Sequence, residues 1–245
     1  MIFKQLYDPR SGALSYLLGD PIGSEGVLID PIYEQAGEYL RLLRLFGLRL
    51  RYLVETRLPD GHISASPVLR EETGARVAIH GAAELGCADL RIQHGDLLHF
   101  GEETLGVLHA PGVSPCASAF RWNDRLFTGE TLLVGRLGCP DGQGGNARTL
   151  CDSVRQTLFS LPPETLVFPG RDWDGRRVSS LAQERNTNPD LQAPSCAEAL
   201  EGRCKDDPLA VGDSDLRAIN EQCAARNLPH DGFASPTQME GASHV

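Results

Sequence analysis

The sequence has no excess of positive charge, no long apolar run and no paired-cysteine motif. Lys and Arg number 23 against 33 Asp and Glu, giving a net charge of −10 and a pI near 5.2. A nucleic-acid surface needs a basic face, and adhesion to anionic lipid needs the same, so neither partner is expected. No apolar run approaches the roughly 20 residues that cross a bilayer. The opening stretch MIFKQLYDP lacks the apolar core of a signal peptide, and none is expected. The seven cysteines (87, 116, 139, 151, 196, 204 and 223) are odd in number and scattered, with no C-x-x-C pair. Neither a zinc ribbon nor a dithiol redox motif is supported, and reduced thiols in a cytoplasm are the simplest expectation. Repeats at a solenoid period and low-complexity tracts are also missing.

What is present reads as an ordinary globular chain: 245 residues, 41% hydrophobic and 23% charged, enough to bury a substantial core. Ile2 to Leu6, Ser15 to Leu18 and Val27 to Ile29 are short apolar or alternating runs, read as an antiparallel meander. Asp30-Pro31 stops the third. Leu40, Leu42, Leu43, Leu45 and Phe46 predict an amphipathic helix closed by Gly47, and Leu50 to Glu55 the next strand. A helix is predicted over Ala65 to Thr73 and a strand over Arg76 to Ile79. A hairpin follows between Gly95 and His109, then strands at Ser118 to Trp122 and Arg125 to Thr128. The second half adds a helix from about Ala147 to Phe159, a strand at Leu166 to Phe168 and a helix at Val178 to Arg185. Helices and strands alternate once per half, which fits two sheets sandwiched between helices. Gln192 to Gly212 lacks periodicity and reads as a loop or insert. Ser214 or Asp215 could cap a last helix to Asn227, with Leu216, Ile219 and Cys223 on one face. His230 to Val245 is expected to be extended and partly loose. These divisions give a main domain over 1–191 and a C-terminal extension over 192–245 packed on it.

The chemistry should lie where the strand at Leu50 to Val54 enters the polar turn Thr56-Arg57-Leu58-Pro59-Asp60-Gly61-His62, because α/β proteins place function on loops at strand ends. In register, this turn resembles the T-H-x-H-x-D-H metal loop of the metallo-β-lactamase fold. Phe3 to Pro9, Val27-Leu-Ile-Asp-Pro31, Phe127-Thr-Gly-Glu130, Gln143-Gly-Gly145, Phe168-Pro-Gly-Arg-Asp172, Glu184-Arg-Asn-Thr-Asn-Pro189 and Asn227-Leu-Pro229 resemble the persulfide dioxygenase branch of that fold. The resemblance spans the chain except roughly Gln192 to Gly212. It implies an αββα sandwich of two mixed sheets flanked by helices, α/β in class. In that family two His and one Asp hold a single iron, with open positions for oxygen and a thiol substrate.

Carried onto this sequence, the resemblance puts the iron ligands on Arg57, Val113 and Glu130, and a further histidine of the hydrolase relatives on Arg171. Only His62 survives from the histidine loop. The family's glutathione-contacting C-G-R-T-D-F-Q reads Leu137-Gly-Cys-Pro-Asp-Gly-Gln143, with Cys139 in place of the arginine. A guanidinium has no free lone pair and valine has no donor atom. Arg57 and Arg171 can instead neutralise Glu130, Asp60 and Asp172 where the metal's charge is lost. No catalytic residue, metal or cofactor is then expected. The pocket residues are Arg57, Asp60, His62, Val113, Cys116, Glu130, Cys139, Arg171 and Asp172. The implied function is a degenerate persulfide dioxygenase-like binding or regulatory protein, taking a small thiol, persulfide or anion; a homodimer stays open. Two alternatives remain at this point. One is a metal-free thiol enzyme using Cys116 or Cys139. The other is a rearranged zinc or manganese site from Asp60, His62, Glu130 and Asp172. The Gly142 to Gly145 loop before a helix could cradle an anion. Phe120, Trp122 and Trp173 read as core or rim.

Overall fold

A computed structural model describes residues 1–141, 143–172, 174–205 and 213–227. The first half forms β1 (Ile2–Tyr7), β2 (Leu14–Asp20), β3 (Glu25–Ile29), α1 (Ala36–Phe46), β4 (Arg49–Val54), α2 (Ser66–Thr73), β5 (Arg76–His80) and β6 (Leu90–Ile92). These strands make one sheet in sequence order, antiparallel through β3 and parallel from β3 to β6. The second half forms β7 (Leu97–Phe100), β8 (Glu103–His109), β9 (Ser118–Trp122), β10 (Arg125–Gly129), the ribbon β11 (Leu132–Leu133) and β12 (Arg136–Leu137), α3 (Ala147–Asp152), β13 (Leu166–Pro169), β14 (Ser179–Ser180) and α4 (Leu181–Thr187). Its main sheet has the order β14-β13-β10-β9-β8-β7, with β10 and β13 parallel.

The layering follows from strands that are apolar on both faces. In β2, Leu14, Tyr16 and Leu18 point between the sheets, while Leu17 points out under α1 and α2. In β3, Val27 and Ile29 face inward and Leu28 outward. Period-two alternation thus feeds two cores at once. Phe100, Phe120, Trp122 and Phe127 fill the inter-sheet layer; Trp122 and Phe120 are core, while Trp173 lies outside the described residues. A third cluster, with Leu126, Leu150, Val154 and Leu181, seals the other sheet under its helices. The αββα order is the one expected. α1 and α2 stop at Gly47 and Gly74, which take left-handed φ of 63° and 71° that a Cβ would disfavour.

Three expectations need correction. The predicted Ala147 to Phe159 helix is α for only six residues; a π-turn over Ser153–Thr157 and a 3-10 turn over Leu158–Ser160 continue it. After the short α5 (Pro189–Gln192), the region expected to be a loop or insert contains α6 (Cys196–Lys205), whose buried Cys196 and Leu200 a periodicity reading missed among small polar residues. The last helix is α7 (Ser214–Glu221), capped by the Asp213 carboxylate rather than by Ser214 or Asp215, and it ends before Cys223, which has a left-handed φ of 54°. Residues 230–245 lie outside the described residues.

The cysteines overturn the reduced-thiol expectation. Cys87 bonds Cys223, Cys139 bonds Cys204 and Cys151 bonds Cys196; Cys116 alone is free, and it is buried. Partners 45 to 136 residues apart leave no spacing signal in a sequence. The ground for placing the chain in a cytoplasm is removed with them. Among the described residues, no helix is long and apolar enough to cross a membrane.

Candidate functional site

Because β3 runs parallel to β4 and β10 to β13, four strand ends meet at one edge of the sandwich. Such carboxyl ends are where α/β sheets gather functional groups. Asp30 follows β3, Glu55-Thr56-Arg57 follow β4, Glu130 follows β10 and Gly170-Arg171 follow β13.

Glu130 lies between the two arginines. Arg57 Nη2 is 3.1 Å from its Oε2, and Arg171 Nη2 is 3.2 Å from its Oε1. Arg57 also binds Asp60 through the same nitrogen and donates to the Leu58 carbonyl at 3.2 Å. Arg57 and Arg171 side chains are only 8% and 7% exposed, so these charges have little water to screen them. Burial alone would raise the Glu130 carboxyl, but Arg171 and Arg57 outweigh it and hold it down at about 2. Arg57 is pushed up despite burial, by Glu130 and Asp60. His62 moves the other way: burial, then repulsion by Arg171 and Arg57, lowers it to about 4. Its ring is therefore neutral at pH 7. Both ring nitrogens are shielded and have no hydrogen-bond partner among the described residues.

Gly61 explains how Arg171 reaches this position. A Cβ on Gly61 would collide with Arg171 Nη2, so the residue without a side chain leaves the space that the guanidinium fills. Arg171 is also tied through its backbone to Ala13, at the start of β2.

Of the nine expected pocket residues, Arg57, Asp60, His62, Glu130 and Arg171 come together. Asp172 turns away to Arg177 Nε at 2.6 Å and the Gly175 amide at 2.7 Å. Val113 is buried in the apolar cluster under the second sheet, beside Ala110, Leu132 and Leu137. Cys116 packs in the core of the first half, its Sγ 3.4 Å from Ser114 Oγ. Cys139 is consumed by its disulfide to Cys204, which corrects its assignment as an available thiol. The proposed anion cradle is also corrected. The Gln143 and Gly145 amides donate to Asp141 at 3.1 and 3.0 Å, and Asn146 caps α3 through the Thr149 amide at 2.9 Å. Two of the loop's amides, those of Gln143 and Gly145, are thus taken by the Asp141 side chain.

Three residues escaped the sequence reading. Asp30, in a left-handed conformation (φ 49°), accepts from the Thr56 amide at 2.7 Å and hydroxyl at 2.9 Å. Glu55, 1% exposed, accepts 2.5 Å hydrogen bonds from Ser64 and Ser66. Desolvation raises both carboxyls, and in Glu55 the nearby Asp30 adds to it. The available signal was an acidic residue closing each of two apolar strands. Asn220 of α7, 1% exposed, donates to the Pro59 and His62 carbonyls at 2.9 Å each and accepts the Ser64 amide at 2.9 Å.

A cavity of about 20 Å³, room for a single water, touches Asp30, Thr56, Arg57, His62 and Glu130. Leu58, next in the same loop, borders a larger one of about 260 Å³ with Cys116, Gln143, Arg217 and Glu221.

No protein-family model matches the chain. Mitochondrial persulfide dioxygenase ETHE1 from Homo sapiens is 38% identical over 200 residues, covering 81% of this chain and 78% of that protein. The Mus musculus protein is 37% identical over 202 residues, with 82% and 79% covered. The crystal structure of ETHE1 from Myxococcus xanthus superposes with a TM-score of 0.85 at 37% identity, over 91% of this chain and 99% of that one. A metallo-β-lactamase from Staphylococcus aureus superposes with a TM-score of 0.81 at 25% identity, over 91% and 72%. With the sandwich, the strand-end loops and these likenesses in agreement, the chain belongs to the persulfide dioxygenase family of the metallo-β-lactamase fold.

Proposed function

We propose that this chain is a family member in which an ion-pair cluster stands where the relatives hold iron. On this reading it acts as a binding or regulatory protein for a small thiol, persulfide or other small anion. The observation that carries the reading is Glu130 clasped by Arg57 and Arg171.

The donor set does not fit an iron. Arg57 offers protons and no lone pair, Val113 has no donor atom, and both Glu130 oxygens are engaged by guanidiniums. The rearranged zinc or manganese site fares no better. Asp60 is paired with Arg57, Asp172 with Arg177, and two buried cations stand beside His62. No step of a reaction is therefore derived through a metal. The 20 Å³ space beside the cluster is too small for a thiol, so a ligand would enter the 260 Å³ cavity on the Leu58 side.

Thiol catalysis has little to support it. Cys139 is half of a disulfide, and Cys116 is 4% exposed within an apolar cluster. The reading is tested by oxygen consumption with glutathione persulfide as substrate. No uptake above the protein-free rate is expected. Turnover abolished by Glu130→Gln would overturn it.

A further inference from the structure

All three disulfides join the main body to the C-terminal segment, in nested order: Cys87 to Cys223, Cys139 to Cys204, Cys151 to Cys196. The outermost bond holds α7. This helix lies against the loop that carries Arg57, Asp60 and His62. The Asp213 amide donates to the Asp60 carbonyl at 3.0 Å, and Asn220 makes its three bonds to Pro59, His62 and Ser64. Arg217 pairs with Asp141 at 3.2 Å and, with Glu221, lines the 260 Å³ cavity. At the far end, the Gly86 amide donates to the Glu221 carbonyl at 2.9 Å, one residue from Cys87.

We propose that Cys87–Cys223 is a thiol–disulfide exchange site at which a low-molecular-weight thiol releases α7, a strap over the arginine-carboxylate loop and its neighbouring cavity. Cys87 is partly exposed and Cys223 is 3% exposed. An incoming thiolate therefore attacks the Cys87 sulfur, forming a mixed disulfide there and expelling Cys223 as the thiolate. The Cys87 amide, which donates to Cys223 Sγ at 3.0 Å, is placed to stabilise the thiolate that forms there. A second thiol then reduces the mixed disulfide, leaving both cysteines as thiols and the two small thiols joined; two electrons pass from the thiol pair to the protein. The other two bonds do not hold α7: they anchor α6, which Arg203 also ties to Asp190 at 3.0 Å. The choice of a small thiol rests on the functional reading above; the strap does not.

The test is hydrogen exchange on the full chain, comparing wild type with Cys87→Ser/Cys223→Ser and with Cys139→Ser/Cys204→Ser. Opening the outer bond is expected to speed amide exchange over 58–64 and 213–221 by roughly 30-fold or more, the low end of what a disulfide contributes, while β2 and β3 stay unchanged. The Cys139/Cys204 variant should leave 58–64 as in wild type. Independently, wild type incubated with reduced glutathione should carry the adduct on Cys87, with the same acceleration. Unchanged exchange over 58–64 in the first variant, or adducts confined to Cys139 and Cys204, overturns the proposal. Iron-dependent turnover would sink the functional reading and leave these exchange rates as they are.

Discussion

Arg57, Gly61, Glu130 and Arg171 make sense only as a set. The resemblance reads each as a departure from the family pattern, and charge balance alone predicts that an arginine should meet Glu130. It does not show that Gly61 empties the volume Arg171 needs, because that requires knowing that the loop after β4 faces the loop after β13. Nor does it show Asp172 leaving for Arg177, since adjacent residues on a loop can face opposite ways. The set gives a prediction at this scale. Glu130→Gln leaves two arginines balanced only by Asp60, and breaking a buried pair on one side is costly. With its side chain 21% exposed, Glu130 sits at the lower end of that range, so the unfolding free energy should fall by about 3 kcal/mol. Urea titration measures it. Glu130→Gln/Arg171→Gln should recover part of the loss, because it restores charge balance around Arg57 and Asp60. Equal midpoints for wild type and Glu130→Gln would show that the pairs contribute nothing.

Elements were legible where one residue type repeats with the period of the structure. The meander β1–β3, the helix stops at Gly47 and Gly74, and the hairpin β7–β8 follow from alternation and punctuation. The C-terminal segment was legible only in the existence of α7, for two reasons. α6 is held by disulfides and by Arg203 more than by an apolar stripe, so its pattern is weak. α7 ends before Cys223 and leaves Leu216 and Ile219 half-buried; its one buried side chain is Asn220, and the bonds that bury it come from a loop more than 150 residues earlier. Both elements are fixed by partners distant in the chain, and hydrophobic periodicity carries no record of those. The same distance concealed the cysteine pairs, and with them the means by which this segment is fastened over the site.

At the scale of the whole molecule, Asp30, Glu55, His62 and Glu130, gathered at one edge of the sandwich, set how stability depends on pH. Glu130, held at about 2, contributes stability that is present above its ordinary value and lost as pH falls through 2. His62, lowered to about 4, contributes stability that is present above its ordinary value of 6.5 and lost as pH falls through 4. Asp30 and Glu55 are raised by burial, to about 7 and about 8, so their contribution is full in acid and lost as pH rises through those values. Between pH 5 and 6.5 the two carboxyls act against His62, above 6.5 they act alone, and stability should fall as pH rises toward 8. Urea midpoints across that range measure it, and Glu55→Gln should flatten the slope; a stability that rises toward pH 8 would contradict it. The proposed replacement of iron by ion pairs is tested most directly by metal content. Full-length protein, purified without chelator, incubated anaerobically with ferrous iron and desalted, should retain far less than one iron per chain. Retention of one equivalent, with Arg57 and Val113 unaltered, would contradict the ion-pair site.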